Sequence, residues 1–164
     1  MPLLQDIRSD LTANQNSSKG KCIVVSYRIA NYIALHRSPF IRILGRPWVK
    51  LHELIVMWFL STEIPTRTKI GPGLSIPHGL VIINDSAVIG KNVLIRQFTT
   101  IGSKGTSPYG SPVIGDNVNI GANVVLIGEI TIGDNVIIGA GTILTKSVPP
   151  NSIVYGNPVK ILPL

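Results

Sequence analysis

Three histidines are the residues of this chain best suited to acid–base chemistry, and they differ in their surroundings. His78 lies between Pro77 and Gly79, where a regular aliphatic spacing is broken by one extra residue. A side chain at such a break can protrude, and histidine titrates near neutral pH, so it can deprotonate a hydroxyl that attacks a thioester. The alternative is a corner histidine bonded to backbone. His36 and His52 lie in a helical region, which favours packed or solvated side chains.

The spacing around His78 belongs to a repeat of six residues that covers about half of the chain. Thirteen aliphatic residues carry it, and they are Ile64, Ile70, Ile76, Ile83, Ile89, Ile95, Ile101, Ile114, Ile120, Leu126, Ile132, Ile138 and Leu144. A period of six cannot stay on one face of an α-helix, whereas short strands joined by turns can keep it on one side. Three strands per coil, with coils about 4.8 Å apart, predict a mainly β protein built as a parallel β-helix.

The longer of two breaks in this repeat indicates a functional loop. Seven extra residues lie between Ile101 and Ile114. They predict a loop, 102–112, that protrudes from the coils and forms a wall of a binding site. The backbone N–H groups of Gly102 and Ser103 at its start are suited to stabilise an oxyanion, although turn geometry alone also explains a glycine there.

The chain is predicted to have a helical region at 1–62, the β-helix at 63–148 and a C-terminal cap at 149–164. Helical spacing in the first region gives one apolar stripe, which is formed by Cys22, Val25, Ile29 and Ile33. Pro39 ends that helix, and Pro47 suits the first turn of a second helix that runs to about residue 60. The apolar face of the second helix is explained by packing on the protein or on another subunit, or by contact with a membrane.

The charge of the chain limits the classes of partner. Ten Lys and Arg against four Asp and Glu in residues 1–70 give that half most of the net charge of +7. Such a basic surface is either a solvated face or attracts an anionic substrate or an anionic membrane. Aromatic residues do not alternate with the cations, and no nucleic-acid-binding motif is present, so no nucleic-acid partner is expected.

Cysteine content and hydropathy favour a reducing compartment. The single Cys22 excludes an internal disulfide and is predicted to be a buried structural thiol. The start of the chain lacks the layout of a signal peptide, and the longest apolar run, 54–60, is too short to span a bilayer. We therefore expect a cytoplasmic location, either free or with peripheral association at the inner face of the membrane.

Several short motifs in and after the repeats occur together. They are Glu63-Ile64, Lys69-Ile70-Gly71, Ile76-Pro77-His78-Gly79, Thr100-Ile101-Gly102 and the segments 147–151 and 155–160. In these motifs the chain resembles the left-handed β-helix acyltransferases. The closest resemblance is to the serine acetyltransferase branch, particularly its short relatives that O-acetylate bacterial exopolysaccharides of the colanic acid type. The resemblance implies a left-handed coil, a homotrimer and acetyl-CoA as co-substrate, with no metal.

The resemblance also assigns roles to individual residues. It implies that His78 is the general base and that Glu63 orients the imidazole, the alternative for Glu63 being a capping or surface glutamate. It implies that acetyl-CoA lies in a groove between adjacent prisms, with its pantetheine arm along small residues and its phosphates near lysines. These residues are Gly121, Ala122, Gly139, Ala140, Lys146 and Lys160. The turns of the repeat also explain the small residues without any ligand.

Departures from the serine-specific enzymes favour a different acceptor. Pro77 stands where those enzymes have an acidic residue, and Gly110-Ser111 stands where they have Arg-His. An amino acid needs charged partners for its ammonium and its carboxylate, so the preferred acceptor is a sugar hydroxyl in bacterial exopolysaccharide or capsule biosynthesis. Serine O-acetylation and a non-catalytic scaffold are the alternatives. A zinc enzyme of the γ-carbonic anhydrase kind needs three histidines on the coils, where only His78 lies.

Overall fold

The computed structural model describes residues 2–105 and 110–164, and it shows a helical region followed by a three-sided prism of short strands. The helices are α1 (Pro2–Ala13), α2 (Ser18–Leu35), α3 (Pro39–His52) and a π-helical segment (Glu53–Phe59) that continues α3. Within the described ranges, no helix has the length and hydropathy that crossing a membrane requires.

Strands of two to four residues, joined by turns and loops, follow the helices. They are β1 (Lys69–Ile70), β2 (Ile82–Ile83), β3 (Val88–Ile89), β4 (Leu94–Ile95), β5 (Thr100–Gly102), β6 (Val113–Ile114), β7 (Asn119–Ile120), β8 (Val125–Ile127), β9 (Thr131–Ile132), β10 (Ile137–Ile138), β11 (Ile143–Leu144), β12 (Ser152–Tyr155) and β13 (Lys160–Pro163).

The strands form three sheets, one on each side of the prism. Sheet S1 has the order β1-β3-β6-β9, sheet S2 the order β4-β7-β10-β12-β13, and sheet S3 the order β2-β5-β8-β11. Every pair is parallel except β12 with β13, which are antiparallel. Along the chain each coil passes through S3, then S1, then S2. The paired residues are those one full coil apart, as the six-residue spacing predicts.

The core of the prism is built from the aliphatic residues of the repeat. Of the thirteen, all but Ile70 are exposed by 2% or less. Their neighbours along the strands point outward, and Ile82, which precedes Ile83, is 48% exposed. The alternation of buried and exposed residues is the period of two that strands impose. The prediction of a repetitive β core is therefore confirmed.

An asparagine occupies the turn between S1 and S2 in each of four successive coils. Asn92, Asn117, Asn135 and Asn151 have φ between 54° and 58°, a left-handed conformation that asparagine tolerates better than most residues. Their side chains donate from one coil to the next at 2.9 to 3.1 Å. These asparagines therefore close the turns and also link the coils.

The helices differ in two ways from the prediction. The fully buried face of α2 is formed by Ile23, Val24 and Tyr27, whereas Cys22 is exposed, so the predicted buried thiol is wrong. The predicted stripe faces α3 instead, where a Cβ on Gly45 would come within 2.4 Å of Ile33. Apolar residues occur on two sides of α2, so spacing alone did not distinguish them.

The second difference is where the following helix begins. It starts at Pro39, which occupies its first turn, and Pro47 lies inside it. Proline at the first helical position loses no hydrogen bond, so Pro39 suits the start of this helix, and the helix continues through Pro47. The predicted start at Pro47 is therefore wrong.

A buried polar network attaches the helices to the first coil. Asp10 and Arg28 form an ion pair at 2.7 Å, with side chains 0% and 5% exposed. Asp10 Oδ1 also accepts from the N–H groups of Gly73 and Leu74 at 2.8 and 2.9 Å, and Arg28 donates to the carbonyl of Gly71 at 2.6 Å. The ion pair thus satisfies backbone groups that the open end of the prism would leave unpaired.

Candidate active site

His78 is exposed at the edge where S2 of the first coil turns into S3 of the second. The extra residue of the repeat is accommodated here by Gly79 and Leu80, whose φ values are 66° and 57°. A Cβ on Gly79 would come within 2.7 Å of Thr62 Oγ1, so the position accepts only glycine. The insertion therefore changes the path of the turn and leaves the imidazole outside the prism.

The imidazole opens onto a cleft of about 620 Å³. Its other walls are Pro77 and residues 12–19, which include the end of α1 and the turn before α2. Apart from Ala13 and Lys19, residues 12–19 are Thr, Asn, Gln and Ser, which carry hydroxyl and amide groups. Among the described residues that line the cleft, none is a carboxylate. The cleft thus presents hydrogen-bonding groups and one positive charge beside a candidate base.

Two side chains hold the α1–α2 turn against the strand that leads to His78. Asn14 donates to the carbonyl of Leu74 at 2.7 Å and accepts from the N–H of Ile76 at 3.0 Å. Ser17 accepts from the N–H of Gly20 at 2.8 Å and donates to the carbonyl of Pro77 at 2.6 Å. Ser17 therefore caps α2 and also fixes the residue next to His78, so both walls of the cleft are held together.

Glu63 is brought close to the segment that follows His78, but not into contact with the histidine. Its backbone N–H donates to the carbonyl of Val81 at 2.7 Å, and it pairs with Ile82 in S3. Its side chain is exposed in the outward-facing row of that sheet. Among the residues that the structure describes, no hydrogen bond or ion pair joins the Glu63 carboxylate to the His78 imidazole.

One prism edge carries His78 and half of the predicted small residues. In the register of S2, the same position of successive coils is occupied by His78, Gln97, Ala122 and Ala140. We call this column the His78 edge. With coils about 4.8 Å apart, Ala140 lies about 15 Å from His78 along the prism. The structure therefore brings the histidine and the alanines to one line along the prism.

Gly121 and Gly139, which precede the two alanines of this column, are explained by the packing of adjacent coils. A Cβ on Gly121 would come within 2.6 Å of the backbone N of Ala140, and one on Gly139 within 3.1 Å of Tyr155 Cβ. Gly121 is therefore required for the coils to stack, whereas a Cβ at Gly139 would require Tyr155 to shift by a few tenths of an ångström. Ala122 is half-buried and Ala140 is exposed, so the two alanines form the outer surface of the edge.

Two residues of the His78 edge, between His78 and Ala122, were not predicted. The side-chain oxygen Oε1 of Gln97 is buried without a hydrogen-bond partner among the described residues. Phe98 is 57% exposed and has φ 61°, a conformation that is costly for a bulky side chain. The repeat register would have located both, and the polar run at 14–18 was the sequence signal for the opposite wall of the cleft.

Gly102 and Ser103 lie at the other edge of S3. Gly102 ends β5 and pairs with Ile127 in β8, and Ser103 Oγ donates to the carbonyl of Gly105 at 3.3 Å. From there the chain turns toward S1, and residues 106–109 of the predicted loop lie outside the described residues. Within one chain S3 separates this edge from His78, so the structure does not bring Gly102 and Ser103 to the histidine.

The two predicted lysines are exposed near the C-terminal end of the prism, at different edges. Lys160 begins β13 opposite Tyr155, which packs over Gly139, so it continues the His78 edge. Lys146 follows β11 on the Gly102 side and lines a groove of about 400 Å³ with the C-terminal tail. Residues 157–159 and 161, on either side of Lys160, line the same groove, so both lysines lie near the C-terminal tail.

The remaining histidines are packed in the helical region, as predicted. His52 is 1% exposed, and its Nδ1 lies 2.9 Å from Ser26 Oγ. Burial lowers the pKa of His52 below its ordinary value. His36 Nδ1 accepts from the N–H of Ser38 at 3.0 Å. In the part of the chain that the structure describes, no group of three or more His, Cys, Asp or Glu side chains could hold a metal ion.

Comparison with known sequences finds acetyltransferases. The profile of the family described as bacterial transferase hexapeptide (six repeats) matches residues 111–146. WcaB of Escherichia coli (strain K12), named for a proposed role as a colanic acid biosynthesis acetyltransferase, is 36% identical over 155 residues, which are 93% of this chain and 96% of WcaB. Serine acetyltransferase 2 of Arabidopsis thaliana is 31% identical over 165 residues, which are 95% of this chain and 51% of the plant protein.

Comparison with solved structures also finds serine acetyltransferases. Soybean serine acetyltransferase apoenzyme has a TM-score of 0.78 and 27% identity, and the match covers 98% of this chain and 69% of that chain. The serine acetyltransferase of Neisseria gonorrhoeae has a TM-score of 0.77 and 27% identity, with 98% and 66% covered. These likenesses confirm the predicted left-handed parallel β-helix with a helical region before it.

Proposed function

Since the chain belongs to the hexapeptide-repeat acetyltransferases, we propose that it moves an acetyl group from acetyl-CoA to a sugar hydroxyl in the biosynthesis of a bacterial exopolysaccharide or capsule. The observation that carries the choice of acceptor is the cleft at His78. Hydroxyl and amide groups match the hydroxyls of a sugar, whereas the ammonium of serine needs an anionic partner. The described residues that line the cleft provide no such partner.

In the proposed reaction, the imidazole of His78 accepts the proton of the acceptor hydroxyl while the oxygen attacks the thioester carbonyl of acetyl-CoA. The C–S bond then breaks, and the imidazolium returns the proton to the departing thiolate. The exposure of His78 at the mouth of the cleft supports this role, because a general base must reach the hydroxyl directly.

Glu63 is proposed as the positioning residue for His78. A carboxylate on the second ring nitrogen would fix the tautomer and stabilise the imidazolium. The pairing of Glu63 with Ile82 supports the proposal, because it places the carboxylate one coil from the histidine segment. Both side chains are exposed, so they have room to turn toward each other when the acceptor binds. Glu63→Gln should then lower kcat with little change in either KM.

The acetyl-CoA site is proposed to lie between two prisms of a trimer. One prism contributes the His78 edge, with the alanine surface for the pantetheine arm and Lys160 for the phosphates. The neighbouring prism contributes the opposite edge of S3, which carries Gly102, Ser103 and Lys146. Gly121 and Gly139 contribute to the site by lacking a side chain, which lets adjacent coils approach closely below the alanine surface. Replacement of Ala140 by leucine should raise the Kd for acetyl-CoA, and Thr131→Leu on the exposed face of S1 in the same coil should not.

The decisive experiment measures thiol release from acetyl-CoA with a panel of acceptors. The panel contains deacetylated exopolysaccharide, simple sugars and free serine, and the proteins are the wild type, His78→Ala and His36→Ala. We expect release that depends on a glycan and falls by about 10²- to 10⁴-fold in His78→Ala. Calorimetric titration should show that His78→Ala still binds acetyl-CoA. His36→Ala is the matched control and should keep the activity, because His36 lies outside the cleft.

Each other outcome assigns a different function. Release that depends on serine would make the protein a serine O-acetyltransferase, the activity named for its structural relatives. Absence of acetyl-CoA binding would favour a non-catalytic scaffold and overturn the site assignments. Equal loss of activity in both histidine variants would remove His78 from the role of base.

A further inference from the structure

Helix α3 and its π-helical continuation leave a line of large apolar side chains in solvent. The line is formed by Phe40, Leu44, Trp48, Leu51, Leu54 and Trp58. The spacing is three or four residues, so the line follows one side of the helix. Phe40, Leu44 and Trp58 are 67%, 64% and 79% exposed. We call this line the α3 apolar stripe, and it is the largest group of exposed aromatic residues in the described chain.

The opposite side of α3 already has a partner. Gly45 lies against Ile33 of α2, and the buried His52 contacts Ser26 of the same helix. The exposure of the stripe is therefore not a consequence of a poorly packed helix. A helix that buries one line of residues normally exposes polar side chains on the other side. On α3 the exposed side carries large apolar residues in addition to polar ones.

Positive charges run parallel to the α3 apolar stripe. Arg42, Arg46 and Lys50 are exposed and four residues apart, so they form a second line along the helix, and the exposed Ile43 lies between this line and the stripe. Lys50 forms an exposed ion pair with Glu53 at 2.6 Å. In the described residues, Arg42 and Arg46 have no anionic partner. The accessible surface of α3 thus consists of an apolar line with a cationic border.

We propose that the α3 apolar stripe docks on an anionic membrane surface, with Arg42, Arg46 and Lys50 at the level of the headgroups. An apolar face with Trp, Phe and Leu and a basic flank is the composition of helices that lie in the plane of a membrane interface. Basic residues next to such a face are attracted by anionic lipids. This inference does not depend on the acceptor proposed for the cleft, since membrane binding and acetyl transfer are measured separately.

A second copy of the chain fits this surface less well. Two copies that met through the stripe about a two-fold axis would use the same patch on both sides. With the two helices antiparallel, each cationic line would then lie beside its own symmetry copy, and like charges would repel. An anionic lipid surface matches both the apolar line and the charges.

The chain contains a built-in fluorescent reporter of this contact. Trp48 and Trp58 are its two tryptophans, and both lie on the α3 apolar stripe. We expect their emission to shift to shorter wavelength with vesicles of phosphatidylcholine and phosphatidylglycerol, and to change little with phosphatidylcholine alone. High salt should weaken the effect, since screening reduces the attraction of the basic residues. No shift with anionic vesicles would overturn the proposal.

Paired variants separate the two parts of the surface in co-sedimentation with the same vesicles. Trp58→Ser with Phe59→Ser removes the most exposed apolar residues, and Arg42→Glu with Arg46→Glu reverses two charges. Both pairs should reduce sedimentation to the level seen with neutral vesicles. Lys69→Glu with Lys91→Glu makes the same charge change on the prism and should bind normally. Unfolding midpoints equal to the wild type would show that each variant is folded.

Two results would contradict membrane docking. Sedimentation that persists in both α3 variants would place the lipid contact elsewhere. Tryptophan emission that is already shifted without vesicles, and that changes on dilution of the protein, would show that a second copy covers the stripe.

Discussion

His78 owes its position to one inserted residue. The same place on the next coils holds Gln97, Ala122 and Ala140. Only the first coil has an extra residue there, and it is absorbed by Gly79 and Leu80 in left-handed conformations. Such conformations are tolerated where the surrounding structure determines them. The chemistry proposed for the prism is thus confined to one end of one edge, where the helical region can supply the other wall.

Ser17 should link the stability of α2 to acceptor binding. Ser17→Ala loses the cap to Gly20 and the hydrogen bond to Pro77, so the free energy of unfolding should fall by about 1 kcal/mol. The KM for the acceptor should rise because the cleft wall is released, while the KM for acetyl-CoA should stay the same. The measurements are urea unfolding and steady-state kinetics.

The control for this prediction is another helix cap. Ser38 precedes α3 but makes no side-chain capping bond, so Ser38→Ala should change stability by less than about 0.5 kcal/mol. An unchanged acceptor KM in a destabilised Ser17→Ala would show that the turn does not bind the acceptor.

Among the elements, α1 and α2 are attached to the prism by a buried ion pair in addition to the hydrogen bonds of Asn14 and Ser17. Asp10→Asn should lower the free energy of unfolding by about 3 kcal/mol, because it leaves Arg28 buried without its charge partner. Glu53→Gln breaks the exposed pair with Lys50 and should cost less than about 1 kcal/mol. Equal effects of the two substitutions in urea unfolding would refute the role of the buried pair as the attachment of the helices.

The packing of α3 on α2 should depend on pH through His52. Burial lowers the pKa of His52 in the folded state, so below the ordinary value of 6.5 only the unfolded chain binds the proton. The contribution of neutral His52 to the free energy of unfolding is therefore fully present above about pH 6.5. It is lost as the pH decreases toward the lowered pKa. His52→Gln cannot titrate, and its unfolding midpoint should fall less between pH 7 and pH 5. An equal fall in both proteins would assign the effect to other groups.

The sequence predicted the regular elements and missed the contacts between distant ones. The six-residue period was sufficient for the core because each coil repeats the same local geometry, and one extra residue was sufficient to select His78. The face of α2 was not predictable, since apolar residues occur on two of its sides. The cleft was also out of reach, because Ser17 and Pro77 meet across 60 positions of the chain.

In the whole molecule, S3 separates the two edges that the proposed acetyl-CoA site needs. A three-fold arrangement with S3 facing the axis would bring the His78 edge of one prism against the Gly102 edge of the next. Such an interface is heterologous and closes after three copies. The outward row of S3 suits burial, since Ile82 and Ile143 are 48% and 43% exposed and Val125 lies between them.

This arrangement predicts which sheet controls both assembly and acetyl-CoA binding. By light scattering, the wild type should have three times the chain mass of 17.6 kDa. Ile82→Asp with Ile143→Asp should give single chains that bind acetyl-CoA at least about tenfold more weakly, because charges at the axis repel and half of the site is lost. Val88→Asp with Thr131→Asp places the same charges on S1, on strands that are not adjacent, and should leave the trimer and the affinity unchanged. Dissociation by the S1 pair instead would mean that S1 faces the axis, and it would overturn the proposed acetyl-CoA site, because the His78 edge does not border S1.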